Sequence, residues 1–303
     1  EAVNVCNVFL PKGEVIVSTK GKVKEADRSF NTLNPSVDES IPLAILVNNY
    51  SASASEIVCG AIQDYDRGVL IGQQTYGKGL VQNTRDVGYN SRVKMTTAKY
   101  YIPSGRCIQS VQYDNGEPVD IPDAKRTPFQ TRNGRTVLDG GGVKPDIIMK
   151  KLSDNAILKA LMDQNLIFEY VTNYCLEHPE VPTIEDFHFG DFEGFLAFLE
   201  EKDYSFETES ERLIKKLGAT AEKEGFELDP KIEILWGQMK ADKQAAVEEY
   251  RGEIIDLIEK EIAARYHYQE GRIKMGLRND KEIDEAIAVL TDSARYQKVL
   301  SGK

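Results

Sequence analysis

The sequence predicts an α/β half, residues 1–150, followed by an all-α half, residues 151–303. Three observations carry this division. First, Pro42 to Asn48 (PLAILVN) and Gly68 to Gly72 (GVLIG) are apolar runs. They flank Ser53 to Asp66, where Ile57, Val58, Ala61, Ile62 and Tyr65 fall at helical spacing. Strands apolar on both faces are covered on both faces, as in a parallel sheet, so this stretch reads as a βαβ unit. Second, the charge breaks near residue 150. Residues 1–150 hold 18 Lys and Arg against 16 Asp and Glu, a net of +2, whereas residues 151–303 hold 20 against 33, a net of −13. Third, apolar positions after residue 150 recur every three or four residues, as in Ile254, Ile255, Leu257, Ile258 and Ile262. That is the pattern of a helical bundle with a charged outer face.

Taken in order, Glu1 to Leu10 has Val3, Cys6, Val8 and Phe9 on one helical face and ends at Pro11-Lys12-Gly13. Glu14 to Thr19 (EVIVST) is β-branched and predicts a strand, and the polar residues 20–41 predict a loop. After the βαβ unit, Leu80 to Asp86, Arg92 to Tyr101 and Arg106 to Val111 predict a meander. Its turns are Gly88-Tyr89-Asn90 and Pro103-Ser104-Gly105. Residues 112–138 predict a long loop, and Asp139 to Gly142 a turn into a strand over Val143 to Met149. Helices are predicted at Leu152 to Glu177, Asp191 to Lys202 and Glu209 to Glu224. Two more follow, from Asp229 to about Gln269 with a break near Gly237 or Gly252, and at Asp280 to Leu300.

Bulk properties exclude several classes. The net charge of −11 argues against a nucleic-acid partner, since phosphate binding wants a basic surface. Cys6, Cys59, Cys107 and Cys175 show no C-x-x-C spacing, so they read as mostly buried thiols with no metal site. No segment has the roughly 18 unbroken apolar residues of a membrane helix. The chain starts at Glu1 without Met and inside a helical pattern, so it reads as a processed or truncated product.

The chemistry centres on Ile45 to Gln82. The three histidines, His178, His188 and His267, all lie in the acidic half. A Ser-His-Asp triad within residues 1–150 is therefore excluded, and a Ser-Lys pair is the remaining way to activate a hydroxyl. Ser51, Ser53 and Ser55 sit at a strand-to-helix turn, where backbone N–H groups point outward with partial positive charge. An oxyanion beside Ser53 could accept from the Ala54 N–H. Ser53-x-x-Glu56 is equally a capping box. Lys78, between Gly77 and Gly79, is brought back toward the serine turn by the second strand. Burial would favour its neutral amine, but G-K-G also fits a surface hairpin tip. Gln82 could hold the amine without adding charge, or be an ordinary strand residue. Asp64 lies about 16 Å along the helix from Ser53 and is expected to pair with Arg67.

SASASEIVCGAIQDYDRGVLIGQQTYGKGLVQ closely resembles the core of the carboxyl-terminal processing, or tail-specific, serine peptidases. The likeness extends through TAKYYIPSGRCIQ and GGVKPD, over residues 1–150. It implies a crotonase/Clp-protease-like α/β sheet with helices, here incomplete. It also implies Ser53 as nucleophile, Lys78 as general base, Gln82 as its support, and no cofactor or metal. Substrates would be polypeptides bound as an added β-strand and cut near their C-termini, in the bacterial periplasm or cell envelope. The family's PDZ domain and glycine-rich oxyanion loop have no counterpart in this sequence. Losing one oxyanion donor costs about 10²–10³ in rate, so low or no activity is expected of this chain alone. Two alternatives stay open. One is a non-catalytic module of the same fold that binds peptides or hydrophobic ligands. The other is that the acidic half is a scaffold or a dimerisation arm for a homo-oligomer.

Overall fold

The computed structural model describes residues 1–109, 111–114, 117–120, 122–149, 156–180, 183–202, 209–226 and 228–302. The chain divides into two compact units, residues 1–150 with 281–303, and residues 151–280.

In the first unit, α1 (Ala2–Phe9) leads into β1 (Val15–Gly21), which pairs antiparallel with β2 (Arg28–Asn31). β3 (Ala44–Val47), α2 (Ala54–Asp64) and β4 (Val69–Gly72) form the expected βαβ unit, with β3 and β4 parallel in the register Ala44 to Val69. β5 (Leu80–Gly88) and β6 (Ser91–Tyr101) form a long hairpin, and β6 continues onto β1. The resulting sheet has the order β2-β1-β6-β5, which leaves β5 at an edge. Two small hairpins follow, β7 (Val111–Asp114) with β8 (Glu117–Asp120), and β9 (Pro128–Gln130) with β10 (Thr136–Leu138). β11 (Ile147–Ile148) joins β4 in parallel, giving a three-stranded sheet β11-β4-β3.

The all-α segment begins with α3 (Ala156–Asp163) and α4 (Leu166–Glu177). α5 (Phe192–Glu201) follows, capped by Asp191 accepting the Gly194 N–H at 3.0 Å. Next come α6 (Glu209–Glu224), α7 (Asp229–Glu249) and α8 (Arg251–Leu277). α9 (Lys281–Thr291) and α10 (Ser293–Ser301) end the chain.

The α/β class followed by helices holds, with differences of detail. β2, β8, β9, β10 and most of β7 lie in stretches expected as loops. The third meander strand reduces to one bridge, Cys107 to Tyr101, with residue 110 outside the described set. The expected helix from Leu152 is two helices, because Asn165 takes a left-handed conformation (φ 57°). Its expected start at 152–155 lies outside the described residues. The long helix breaks at Tyr250, close to Gly252.

The larger difference concerns residues 281–303, expected in the helical half. They pack instead on the parallel sheet. Val69 and Ile71 of β4 form a core with Ala286, Val289, Tyr296 and Leu300, and the Tyr296 hydroxyl accepts the Leu43 N–H at 3.0 Å. The physical reason is that β4 is apolar on both faces. On the other face, Leu70 packs with Val47, Ile57, Ile62 and Ile102 beneath α1 and α2. The second unit has its own core, where Tyr170 meets Phe195 edge-on at 5.1 Å and Phe189 at 5.9 Å, above Ile254, Ile258 and Ile262.

Candidate active site

Chain reversal between β3 and α2 is sharp. Asn48 starts it, its C=O accepting the Ser51 N–H at 2.9 Å and its side chain the Tyr50 N–H at 2.9 Å. Ser53 then takes φ 57° and ψ −114°, a region that costs a non-glycine residue about 1–3 kcal/mol. Small neighbours at Ala52 and Ala54 allow it. The strain sets Ser53, half-buried, at the N-terminus of α2. The Ala54 N–H, expected as an oxyanion donor, is exposed and has no acceptor among the described residues.

What holds this strained turn is Glu56, whose side chain is inaccessible to solvent. Its Oε2 accepts the Ser53 N–H at 2.9 Å, the carboxylate arm of the expected capping box. The same carboxylate does more than cap. Oε2 accepts the Lys78 N–H at 2.8 Å, and Oε1 accepts the Gly77 N–H at 2.7 Å and the Thr75 hydroxyl at 2.5 Å. Four donors saturate a buried carboxylate, the condition under which burying one is tolerated. A further bond, Tyr76 N–H to Ser51 C=O at 3.0 Å, runs parallel to it. The Ser53 turn and the Gly77-Lys78-Gly79 loop are thus one hydrogen-bonded body.

Glycines flank Lys78 for two reasons. Gly77 has φ 83°, and a Cβ on Gly79 would lie 2.6 Å from the Gln109 backbone nitrogen. Thr75 is fixed in turn by accepting the Val143 N–H at 2.7 Å through its hydroxyl. A Cβ on Gly142 would meet Thr75 O at 2.5 Å, so the glycine-rich turn seals this side of the site.

The side chains of the expected dyad are not joined. Lys78 is exposed, not buried among apolar groups, and among the described residues no hydrogen bond links its amine to Ser53. Gln82 is exposed on β5, opposite Thr96 and just past a bulge at Val81. Asp64 does not pair with Arg67. It is buried and faces Arg106 at 2.9 Å, and it accepts the Ser104 N–H at 2.9 Å. Burial pushes its carboxyl above the ordinary value, against the pull of Arg106 and Ser104. Arg67 instead reaches the carbonyls of Phe9 and Ile41 at 3.0 and 2.8 Å. The correction is one of reach: Asp64 points inward to the loop after β6, whereas Arg67 lies past the helix end.

Sequence reasoning missed Thr75 and Arg106 and saw Glu56 only as a cap. Asp146 of GGVKPD also has a visible task. It accepts the Leu70 N–H at 2.8 Å and pairs with Arg135 at 2.5 Å, which fixes β4 beside β11.

A strained serine at a helix start is thus tied through Glu56 to a lysine loop on an α/β sheet. Residues 1–116 match the model of "Peptidase family S41", and residues 157–290 that of "Probable PDZ-protease, C-terminal helical domain". Over these residues the chain is similar to the S41 peptidases and to proteins named carboxy-terminal-processing proteases. It is 44% identical over 111 residues to a carboxy-terminal-processing protease of Bartonella bacilliformis, covering 37% of this chain and 25% of that one. It is 39% identical over 125 residues to a probable CtpA-like serine protease of Staphylococcus aureus, covering 40% and 25%. A solved photosystem II D1 C-terminal processing protease aligns over 49% of this chain and 30% of its own. That alignment has 28% identity and a TM-score of 0.36. The chain thus spans about a quarter of the length of these curated relatives.

Proposed function

We propose that the chain serves a serine endopeptidase that cuts polypeptides near their C-termini, with Ser53 as nucleophile and Lys78 as general base. The observation that carries this is the Glu56 carboxylate, which binds the backbones of both residues and so fixes their spacing. The Lys78 amine takes the Ser53 hydroxyl proton as Oγ attacks the scissile carbonyl. The developing oxyanion is met by the Ala54 N–H. Lys78 passes the proton to the leaving amine, the C–N bond breaks, and an ester remains on Ser53. Lys78 then deprotonates a water that hydrolyses the ester. Gln82 supports the amine. The substrate lies as an extended strand along the free edge of β5, which starts two residues after Lys78. The bacterial cell envelope is the location that accompanies this reading.

The test is cleavage of an unfolded protein by the full-length enzyme. Ser53→Ala and Lys78→Ala should each abolish it while the fold is kept, and full activity in either removes the assignment. One observation favours a second reading, a peptide-binding module without cleavage: Lys78 is exposed and unlinked to Ser53. Tight binding of a peptide that the full-length protein never cuts would support that reading.

A further inference from the structure

α8 is not one straight rod. Tyr268 takes φ 54° and ψ −151°, a conformation nearly confined to glycine, and the helix reverses there. Gly271 lands on Ala263, where a Cβ would sit 2.6 Å from the Ala263 carbonyl oxygen. Arg272 consequently lies against Glu261, eleven residues earlier, at 2.5 Å. In a straight helix those two residues would be about 16 Å apart. Glu261 also holds Arg265 at 2.5 Å, so two guanidinium groups share one carboxylate.

This fold-back walls a groove of about 520 Å³ against α3 and α4. Its apolar lining includes Leu161, Ile167 and Leu257, with Phe168 half-exposed at the rim beneath the Arg265 guanidinium, 4.2 Å away. Its charged lining is Lys260, Arg265 and Arg272 against Glu261 alone, with Asp256 beside Lys260. Counting both carboxylates, the cations still exceed the anions. The sign is the reverse of the surroundings, because residues 151–280 carry 16 Lys and Arg against 29 Asp and Glu. A groove with an apolar floor and surplus guanidinium suits a ligand with apolar side chains and one carboxylate.

We propose that this groove binds the free C-terminal end of a polypeptide whose last residues are apolar. The terminal carboxylate lies on Arg272 and Arg265, and the preceding side chains lie on Met162, Phe168 and Leu257, the accessible apolar members of the lining. Asn165, at the α3–α4 turn, belongs to the same lining. The choice of a polypeptide over another amphipathic anion rests on the peptidase reading; the groove and its charge do not.

The test titrates the 303-residue chain into a fluorescein-labelled peptide of about ten residues ending in Ala-Leu-Val, read by anisotropy. The free-acid peptide should bind. Its C-terminal amide and the Arg272→Gln chain should each bind at least about tenfold more weakly, the loss of one charged hydrogen bond. Phe168→Glu, at an exposed rim position, should abolish binding with the circular dichroism unchanged. Equal binding of acid and amide, or an unaffected Arg272→Gln, overturns the proposal. So does saturable binding of laurate where the peptide does not bind. If the full-length protein cuts substrate but the peptide fails to bind, only the groove assignment falls. If the peptide binds through Arg272 but nothing is cut, only the peptidase reading falls.

Discussion

Glu56 accepts the Lys78 N–H at 2.8 Å through Oε2, the same oxygen that accepts the Ser53 N–H at 2.9 Å. One atom sets the distance between two backbones that lie 25 residues apart in sequence. Glu56→Gln replaces one acceptor with an NH₂ group facing donors. At least one buried N–H then loses its partner, at about 1–3 kcal/mol each. The expected outcome is a loss of about 3 kcal/mol in urea denaturation. Thr75→Val, which removes the hydroxyl linking Glu56 to the Val143 N–H, should lose about 2 kcal/mol. Parental stability in Glu56→Gln would show that the carboxylate does not hold the two loops.

Ser53 predicts the opposite sign. Its φ of 57° and ψ of −114° strain a residue with a Cβ, and glycine relieves that strain. The relief exceeds the extra chain entropy glycine brings to the unfolded state. Ser53→Gly should therefore raise stability by about 1 kcal/mol while removing the hydroxyl. Ser53→Ala keeps the strain and loses the hydroxyl arm of the capping box, so it should fall about 0.5–1 kcal/mol below the parent. A Ser53→Gly chain less stable than Ser53→Ala would mean the turn is not strained in solution.

Much of this arrangement was readable from residue order, and the failures are instructive. The β3-α2-β4 unit was legible because two apolar runs bracket a segment of helical period. The serine turn was legible because small residues and Glu56 mark a helix start. β2 (RSFN) and β9 (PFQ) were not, since they are short, mostly exposed and held by pairing with distant strands rather than by pattern. The reversal at Tyr268 was hidden because its residues keep a helical composition on both sides. Placement of 281–303 could have been inferred: a parallel strand such as VLIG, apolar on both faces, demands a second cover. Nothing local marks which helix supplies it.

Asp64 and Arg106 form a pair at 2.9 Å with side chains 0% and 1% exposed. Removing one partner of a buried pair strands the other charge, at about 3–5 kcal/mol. Arg106→Met should cost that much at pH 7. The Asp64 carboxyl is already raised by burial, so the folded chain holds its proton more tightly than the unfolded chain. A group raised in this way favours the fold at low pH, and that contribution is lost as pH rises through the folded value. Without Arg106 the rise is larger. The Arg106→Met deficit should therefore shrink when denaturation is repeated at pH 5. A deficit that does not change between pH 7 and pH 5 would assign the loss to packing alone.

Alkaline unfolding follows from buried thiols, Cys6 and Cys59 raised most and Cys107 raised less. Cys6 and Cys59 lie in the core beneath α1 and α2, and burial pushes each to about 12. An unfolded thiol titrates near about 8.5, so both protons are held more tightly in the fold. The contribution is complete below about pH 8.5 and is lost as pH rises toward about 12, at about 1.4 kcal/mol per pH unit for each thiol. Tyr65, raised by its own burial and by Glu14, adds to the slope only above about pH 10, where an unfolded tyrosine begins to titrate. The discriminating window is therefore pH 9–10. Replacing both cysteines with alanine should lower stability at pH 7 through lost packing, yet flatten the fall between pH 9 and 10. If the double variant falls as steeply as the parent in that window, the alkaline sensitivity belongs to other groups.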